Sequence, residues 1–543
     1  MREEFDEKAE IDMFRHRFAR ILWALLLALI AAVGLSSCRS AVDAQQGPAT
    51  GSGPVVRGGE LRVGVLGDLS PAKFLQIGTG SLNGHVVANV YDTLITLDHS
   101  SPTPRPSLAT GWVLAPDGLS LSVDLRRGVT FHDGREFTSS DVQQSLLAYL
   151  AGPWKPQFKR TAAAITGYDV TDPHRVVLSF AHPVGNIFDL LDSAPIIDAK
   201  TLDGLKAGRT FNGTGPFEFA SWTPNSRVTL VRNPDYWGGS PALDKISFVE
   251  GNDPKSLYTR LRTGQLDVVD PAGLTSHDQK LATSRYGFRD IEFTGAESEV
   301  YVGVNVANPA LADRRVRRAI AFAVDRDRIM TDVHQSAGYP VNLPWPKTSP
   351  AYNASANRTF TRDVSKARAI LAELPPVPPI DLDYSTQGGT SRIVAEIVQS
   401  NLKDVGITAD LVPNDPTVHA SKLIGGEFSG LWILEHAFAQ FTPSTLAVSA
   451  YPFNAAKNAS NFVAADYAAA ADSAWKTADP SSPEAIAAYR RLDSVWLNEL
   501  FLVEIGVVIQ HATASPNVRD VGWDRRVQFH FADTSLTNPD RRS

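Results

Sequence analysis

The residues predict a mixed α/β protein of two or three domains behind an export segment. Short apolar strands alternate with helices from Arg57 onward, and 506 residues follow the first 37, ample for large cores. An uncharged run near the start then fixes where such a body would work.

That run, Ile21 to Leu35 (ILWALLLALIAAVGL), follows Arg15, Arg17 and Arg20 and is too short to cross ~30 Å of hydrocarbon comfortably at 1.5 Å per residue. It reads as a signal peptide spanning 1–37, with Gly34, Ser36 and Ser37 leaving an uncrowded backbone for processing. Six acids precede Met13, which starts a more conventional signal, so the start codon is Met1 or Met13. Leu35-Ser36-Ser37-Cys38 resembles a bacterial lipobox, and Cys38 is the one cysteine of 543 residues, so neither an internal disulfide nor a thiolate metal site is available to it. Acylation, for example with palmitate, is the use its position suggests. Residues 38–56, small, polar and rich in Gly and Pro, form a tether that cannot bury a core.

In the body, Leu61 to Leu66 is an apolar strand, Ser81 to Tyr91 a helix, and YDTLITLD a returning strand. Leu119, Leu121, Val123 and Leu125 alternate after a Pro-Asp-Gly turn, as a half-buried antiparallel strand does. HRVVLSF and ISFVEG are further strands, Pro254 to Gly264 a helix, and LDVVD a strand. His132-Asp133-Gly134 reads as a tight turn, with Gly134 at positive φ and Thr138 or Ser139 capping a helix that begins near Asp141. Asp313 caps a helix whose Val316, Ala319, Ile320 and Ala323 are buried while Arg314 to Arg318 form a solvated face. The net charge is −7, or −6 once the first 37 residues with their six acids and five bases are set aside, and no basic run with interleaved aromatics is present, which argues against nucleic-acid binding. GxxxxGK, HExxH, GxSxG and CxxC are all absent, so no enzyme is expected, and no metal or cofactor is called for.

Several blocks together carry a resemblance. Tyr91, Asp92 and Leu94; Pro106, Leu108, Ala109 and Trp112; Asp117-Gly118; Leu125 to Gly134; and Asp141-Val142 follow one ordered pattern. NGTGPFEFASWTPNSRVTLVRNPDYWGG, LRTGQLDVV and VGVNVANPALADRRVRRAIAFAVDRDRI extend it. The chain resembles the family 5 solute-binding proteins of bacterial ABC importers, the oligopeptide and dipeptide binders, over about 57–521. The resemblance implies a two-lobed, class II periplasmic-binding-protein fold with an additional β-rich subdomain. One lobe would take 57–92, 205–298 and 505–543, the subdomain 93–204, and the other lobe 299–504. The chain would cross between lobes near Val300–Asn305 and Leu502–Gly506, a two-segment hinge.

The same resemblance implies a monomeric lipoprotein on the outer face of the cytoplasmic membrane. It would capture a peptide and deliver it to permease transmembrane subunits with their ATPases. In GLWILEHAFAQFTPSTLA, Trp432 matches the family's Trp and Glu435 stands where an aspartate often holds a peptide's α-ammonium; the acidic and Pro positions that follow are changed. Asp68 and Leu69 at the carboxyl end of the first strand, Trp345 in a linker, and Gly388 and Gly389 with Thr390 after DLDYS are further candidates for the cleft. Relatives with other solutes keep haem open as an alternative, with His436 as its possible contact, and a regulator or scaffold without transport is a third reading.

Overall fold

A computed structural model describes residues 56–74, 82–99, 103–151, 158–387, 389–437 and 442–537. The signal segment, Cys38, most of the tether and Gly388 lie outside the described residues. Among those described, no helix is long and apolar enough to cross a membrane.

Strand β1 (Glu60–Leu66) buries Leu61, Val63, Gly64 and Val65, and the helix Leu82–Val90 follows. After the small pair β2 (Ile95–Leu97) and β3 (Pro104–Pro106), strands β4 (Ala109–Leu114), β5 (Ser120–Leu125), β6 (Ile165–Asp169) and β7 (Arg175–Phe180) make a separate antiparallel sheet in the order β4-β5-β7-β6. Leu121, Val123 and Leu125 bury one face of β5 as the alternation requires, but Leu119 precedes the strand and is 39% exposed in the turn. Gly134 has a φ of 86°, and the Asp141 carboxylate accepts from both the backbone N–H and the hydroxyl of Thr138, which fastens the first turn of the helix Ser139–Ala151.

The chain then returns in β8 (Phe217–Thr223), β9 (Arg227–Arg232), β10 (Lys245–Gly251) and β11 (Val268–Val269). The sixteen-residue β12 (Arg289–Val304) follows, then β13 (Gly338–Pro340), β14 (Ile380–Ser385), β15 (Ala409–Asn414), β16 (Leu431–Ala437) and β17 (Leu502–Ala514). These strands join one mixed sheet in the order β15-β14-β16-β12-β17-β11-β1-β10-β9-β8, with β13 on the side of β17. One half of that sheet is built around β1 and the other around β14 and β16; β12 and β17, antiparallel over most of their lengths, connect them. The two expected hinge stretches lie side by side in this pair, Tyr301 opposite Glu504 and Gly303 opposite Leu502.

Asp313 caps the helix Arg314–Ala323 by accepting from the Arg315 N–H at 2.8 Å, and the four expected apolar residues are buried. Arg317 departs from the expected solvated face and is 2% exposed. Its guanidinium donates to the carbonyls of Leu311, Ala312 and Glu499, loop and helix-end groups that would otherwise be buried unpaired.

Candidate functional site

A cavity of about 350 Å³ opens where the halves of the sheet meet. Pro271, Leu274, Ser276 and Gln279 bound it on one side, and Ser385, Gln387, Thr390 and Ser391 with Pro416, His419 and Leu423 on the other. Its floor comes from β16 and β17, through Ile433, Glu435, Val508 and Gln510.

Glu435 is set there by register. On β16 it stands opposite Val300, while Ser298, two residues earlier on β12, shares that face of the sheet. Gln510, from β17, donates its amide to Glu435 Oε1 at 2.8 Å and to Ser298 Oγ at 3.0 Å, tying the three strands together. Burial raises the Glu435 carboxyl above its ordinary range, and the hydrogen bonds from Gln510 and Ser298 work against that shift. Among the described residues no Lys or Arg forms an ion pair with it, so the acid lacks a counter-charge that a ligand could bring. His436, next along the strand, alternates to the opposite face and lies 3.6 Å from Glu299. It therefore does not line this cavity, and the contact expected of it in a haem site is not formed there.

Gly389 has the left-handed φ of 82° that a non-glycine residue adopts only at a cost, and it precedes the helix Thr390–Asp404 without a side-chain cap. Thr390 and Ser391, the first residues of that helix, line the cavity. The remaining expected residues are held elsewhere. Asp68 accepts from the Trp222 indole at 2.8 Å and from the backbone N–H groups of Asn225 and Leu69, which makes it the anchor of a loop; Leu69 is buried. Trp345, 1% exposed, packs at 5.0 Å on Trp496. Trp432, fully buried, stacks on Phe428 at 4.7 Å and against Gly303. None of these four residues lines the cavity.

Residues that sequence reasoning missed complete the lining: Gln510, Gln279, His334, His419 and His511. His334 and His419 are almost wholly buried, and burial holds both imidazoles below their ordinary range, His334 at about 4, so they face the cavity uncharged at neutral pH. No local motif marks these lining residues, because they come from β17, the turn before β13 and the helices Ser276–Tyr286 and Pro416–Gly425, far apart along the chain. Among the described residues, no cluster of His, Cys, Asp or Glu is arranged to hold a metal ion.

A larger cavity, about 440 Å³, lies beside the helix Leu82–Val90 and the segment Trp523–His530. Its charges satisfy one another: Arg526 bridges Asp192 and Asp524 at 2.6 Å each. Asp92 accepts from Thr214 at 2.9 Å, Tyr236 at 3.1 Å and Trp237 at 2.8 Å. These contacts tie the turn after the helix Leu82–Val90 to the segments before β8 and after β9. The smaller cavity, with an acid short of a partner, is the better candidate for recognition.

Known proteins place this geometry. The family model for bacterial extracellular solute-binding proteins, family 5 (middle), matches residues 103–459. The oligopeptide-binding protein AppA of Bacillus subtilis is 26% identical over 372 residues, covering 66% of this chain and 67% of AppA. Di/tripeptide-binding protein 2 of Pseudomonas aeruginosa is 28% identical over 380 residues, 63% of this chain and 69% of that protein. The solved structure of AppA with a nonapeptide superposes with a TM-score of 0.77 at 20% identity, over 89% of this chain and all of that one, which bears on the fold. With a two-lobed α/β architecture and a match across most of its length, the chain belongs to the bacterial extracellular solute-binding proteins of family 5.

Proposed function

We propose that the protein captures short peptides in the cavity between its halves and delivers them to an ABC import permease driven by its ATPases. It acts as a carrier, not a catalyst, and works as a monomer on the outer face of the cytoplasmic membrane, held there by acyl chains on Cys38. The observation that carries this reading is Glu435, a carboxylate in a cavity, oriented by Gln510 and without a cationic partner among the described residues. A peptide's α-ammonium supplies the missing charge. Main-chain donors and acceptors of the ligand, once removed from water, need partners such as Gln279, Thr390 and the neutral imidazoles of His334 and His419. The cavity volume sits near the lower end of the ~300–1,000 Å³ usual for small-ligand sites, which suits a short peptide better than a long one. The names of the relatives, peptide binders both, support the same ligand class.

Calorimetric titration of short peptides, free and N-acetylated, into wild type and Glu435→Gln tests the reading. Removing one partner of a desolvated charge pair costs roughly 2 kcal/mol or more, or ~30-fold in affinity. Acetylation and Glu435→Gln should each cost about that much and overlap when combined. Equal affinity of the wild type for free and acetylated peptides removes the clamp, and failure of every peptide to bind removes the ligand class.

A further inference from the structure

On the face of the sheet opposite Glu435 lie two more acids, one on each strand that crosses between the halves. Glu299 of β12 is 0% exposed and Glu504 of β17 is 3% exposed. Around them, β16 contributes His436, with Nδ1 3.6 Å from Glu299 Oε1, and β12 itself contributes the Tyr301 hydroxyl. The turn Arg326–Arg328 contributes Arg326, whose guanidinium is occupied by the carbonyls of Ala321, Phe360 and Glu504. Glu297, two residues earlier on β12, is influenced by Arg525 and Lys347. The ring of Phe453 packs against both Tyr301 and His436 and keeps the cluster apolar on that side. With both acids ionised, neither oxygen of Glu299 nor Oε2 of Glu504 has a donor to accept from, and Nδ1 of His436 and the Tyr301 hydroxyl are buried without a hydrogen-bond partner.

Two carboxylates cannot both stay ionised in such a place. An unpaired buried charge is among the costliest groups a protein can hold, and the neighbours offer little compensation, because His436, held at about 4 by burial, is neutral. Burial first, then the charge of Glu504, raises the Glu299 carboxyl well above its usual range; burial lifts Glu504 to about 8 against the pull of its hydrogen bond with Glu299 and of Arg326. The location gives that chemistry a mechanical meaning. Between Val300 opposite Gly506 and Tyr301 opposite Glu504 the register slips by one, with Ile505 as the extra residue, and a second irregularity falls between Glu292 and Glu297. Bulges are where a paired ladder bends and parts most easily.

We propose that Glu299 and Glu504 hold a proton between them, and that this shared proton fastens β12 to β17 and sets the stiffness of the hinge. The pair titrates as one unit. When the proton leaves, two like charges face each other in a dry bulge, and the strands relieve the repulsion by parting there. Because the pair sits behind the sheet, the proposal does not depend on which ligand the cavity takes.

Hydrogen exchange of the full-length protein, followed by mass spectrometry between pH 6 and 9.5 and corrected for the intrinsic rise of exchange with pH, reads the hinge directly. Amides of 298–304 and 502–508 should lose protection once pH passes the pair's titration, by about tenfold for each further unit, while β14 and β15 keep theirs. Glu299→Gln and Glu504→Gln imitate the protonated acid and should hold protection constant over that range. Protection in the wild type that does not change with pH, or variants that lose it in step with wild type, overturns the proposal. Should one variant fail to fold, the wild-type profile and the other variant decide the matter.

Discussion

Trp345 donates its indole N–H to Asp493 at 2.7 Å, with both side chains inside the protein. The bond fixes the helix Pro483–Glu499 against the segment that follows β13. Asp493 also accepts from Arg490 at 2.9 Å, so the tryptophan is one part of a buried polar joint.

Trp345→Phe keeps most of the packing and removes the donor. It should lower stability by about 1–3 kcal/mol in urea unfolding and leave ligand affinity within twofold. A large loss of affinity at unchanged stability would return Trp345 to the cleft.

Asp92 should be more sensitive than its surroundings. Three donors, the hydroxyls of Thr214 and Tyr236 and the indole of Trp237, converge on its two oxygens. Asp92→Asn turns one acceptor into a donor and sets it against them, costing about 1–3 kcal/mol in thermal or denaturant unfolding.

At Gly303 the limit is space. A Cβ there would stand 1.9 Å from Cε2 of Trp432, which is itself fixed by stacking on Phe428. Gly303→Ala should destabilise by about 1–3 kcal/mol, with Trp432 fluorescence reporting the displaced ring.

Cys38→Ser tests the anchor. Metabolic labelling with a fatty acid should disappear in the variant, and the protein should leave the membrane fraction or persist as precursor. Undiminished labelling would refute acylation at Cys38.

Much of the scaffold was legible in the residues, and the contacts at Asp92 show why. Asp92, Thr214 and the Tyr236-Trp237 pair belong to motif blocks far apart in the chain, and they meet at one carboxylate. The motif thus records a structural joint, which local spacing reveals well. The cavity follows another logic. Glu435 acquires its setting from Ser298 and Gln510, 137 and 75 residues away along the chain, through a strand register that no short motif encodes. Trp432 and Trp345 look like binding residues in a linear string because tryptophan serves both in stacking platforms and in cores. Only burial separates the two uses.

The shared sheet also constrains how the chain is made. β1 is among the first strands to emerge during synthesis, yet β11, its neighbour, also pairs with β17, and β12 needs that same strand, the last of the main sheet in chain order, along most of its length. Any chain that stops before Leu502 leaves open edges in both halves, with unpaired backbone groups ready to recruit other strands. Closure of the sheet therefore waits for β17, and such long-range pairing is slow. A polypeptide that cannot close its sheet until β17 is made keeps strand edges open in both halves through most of its synthesis.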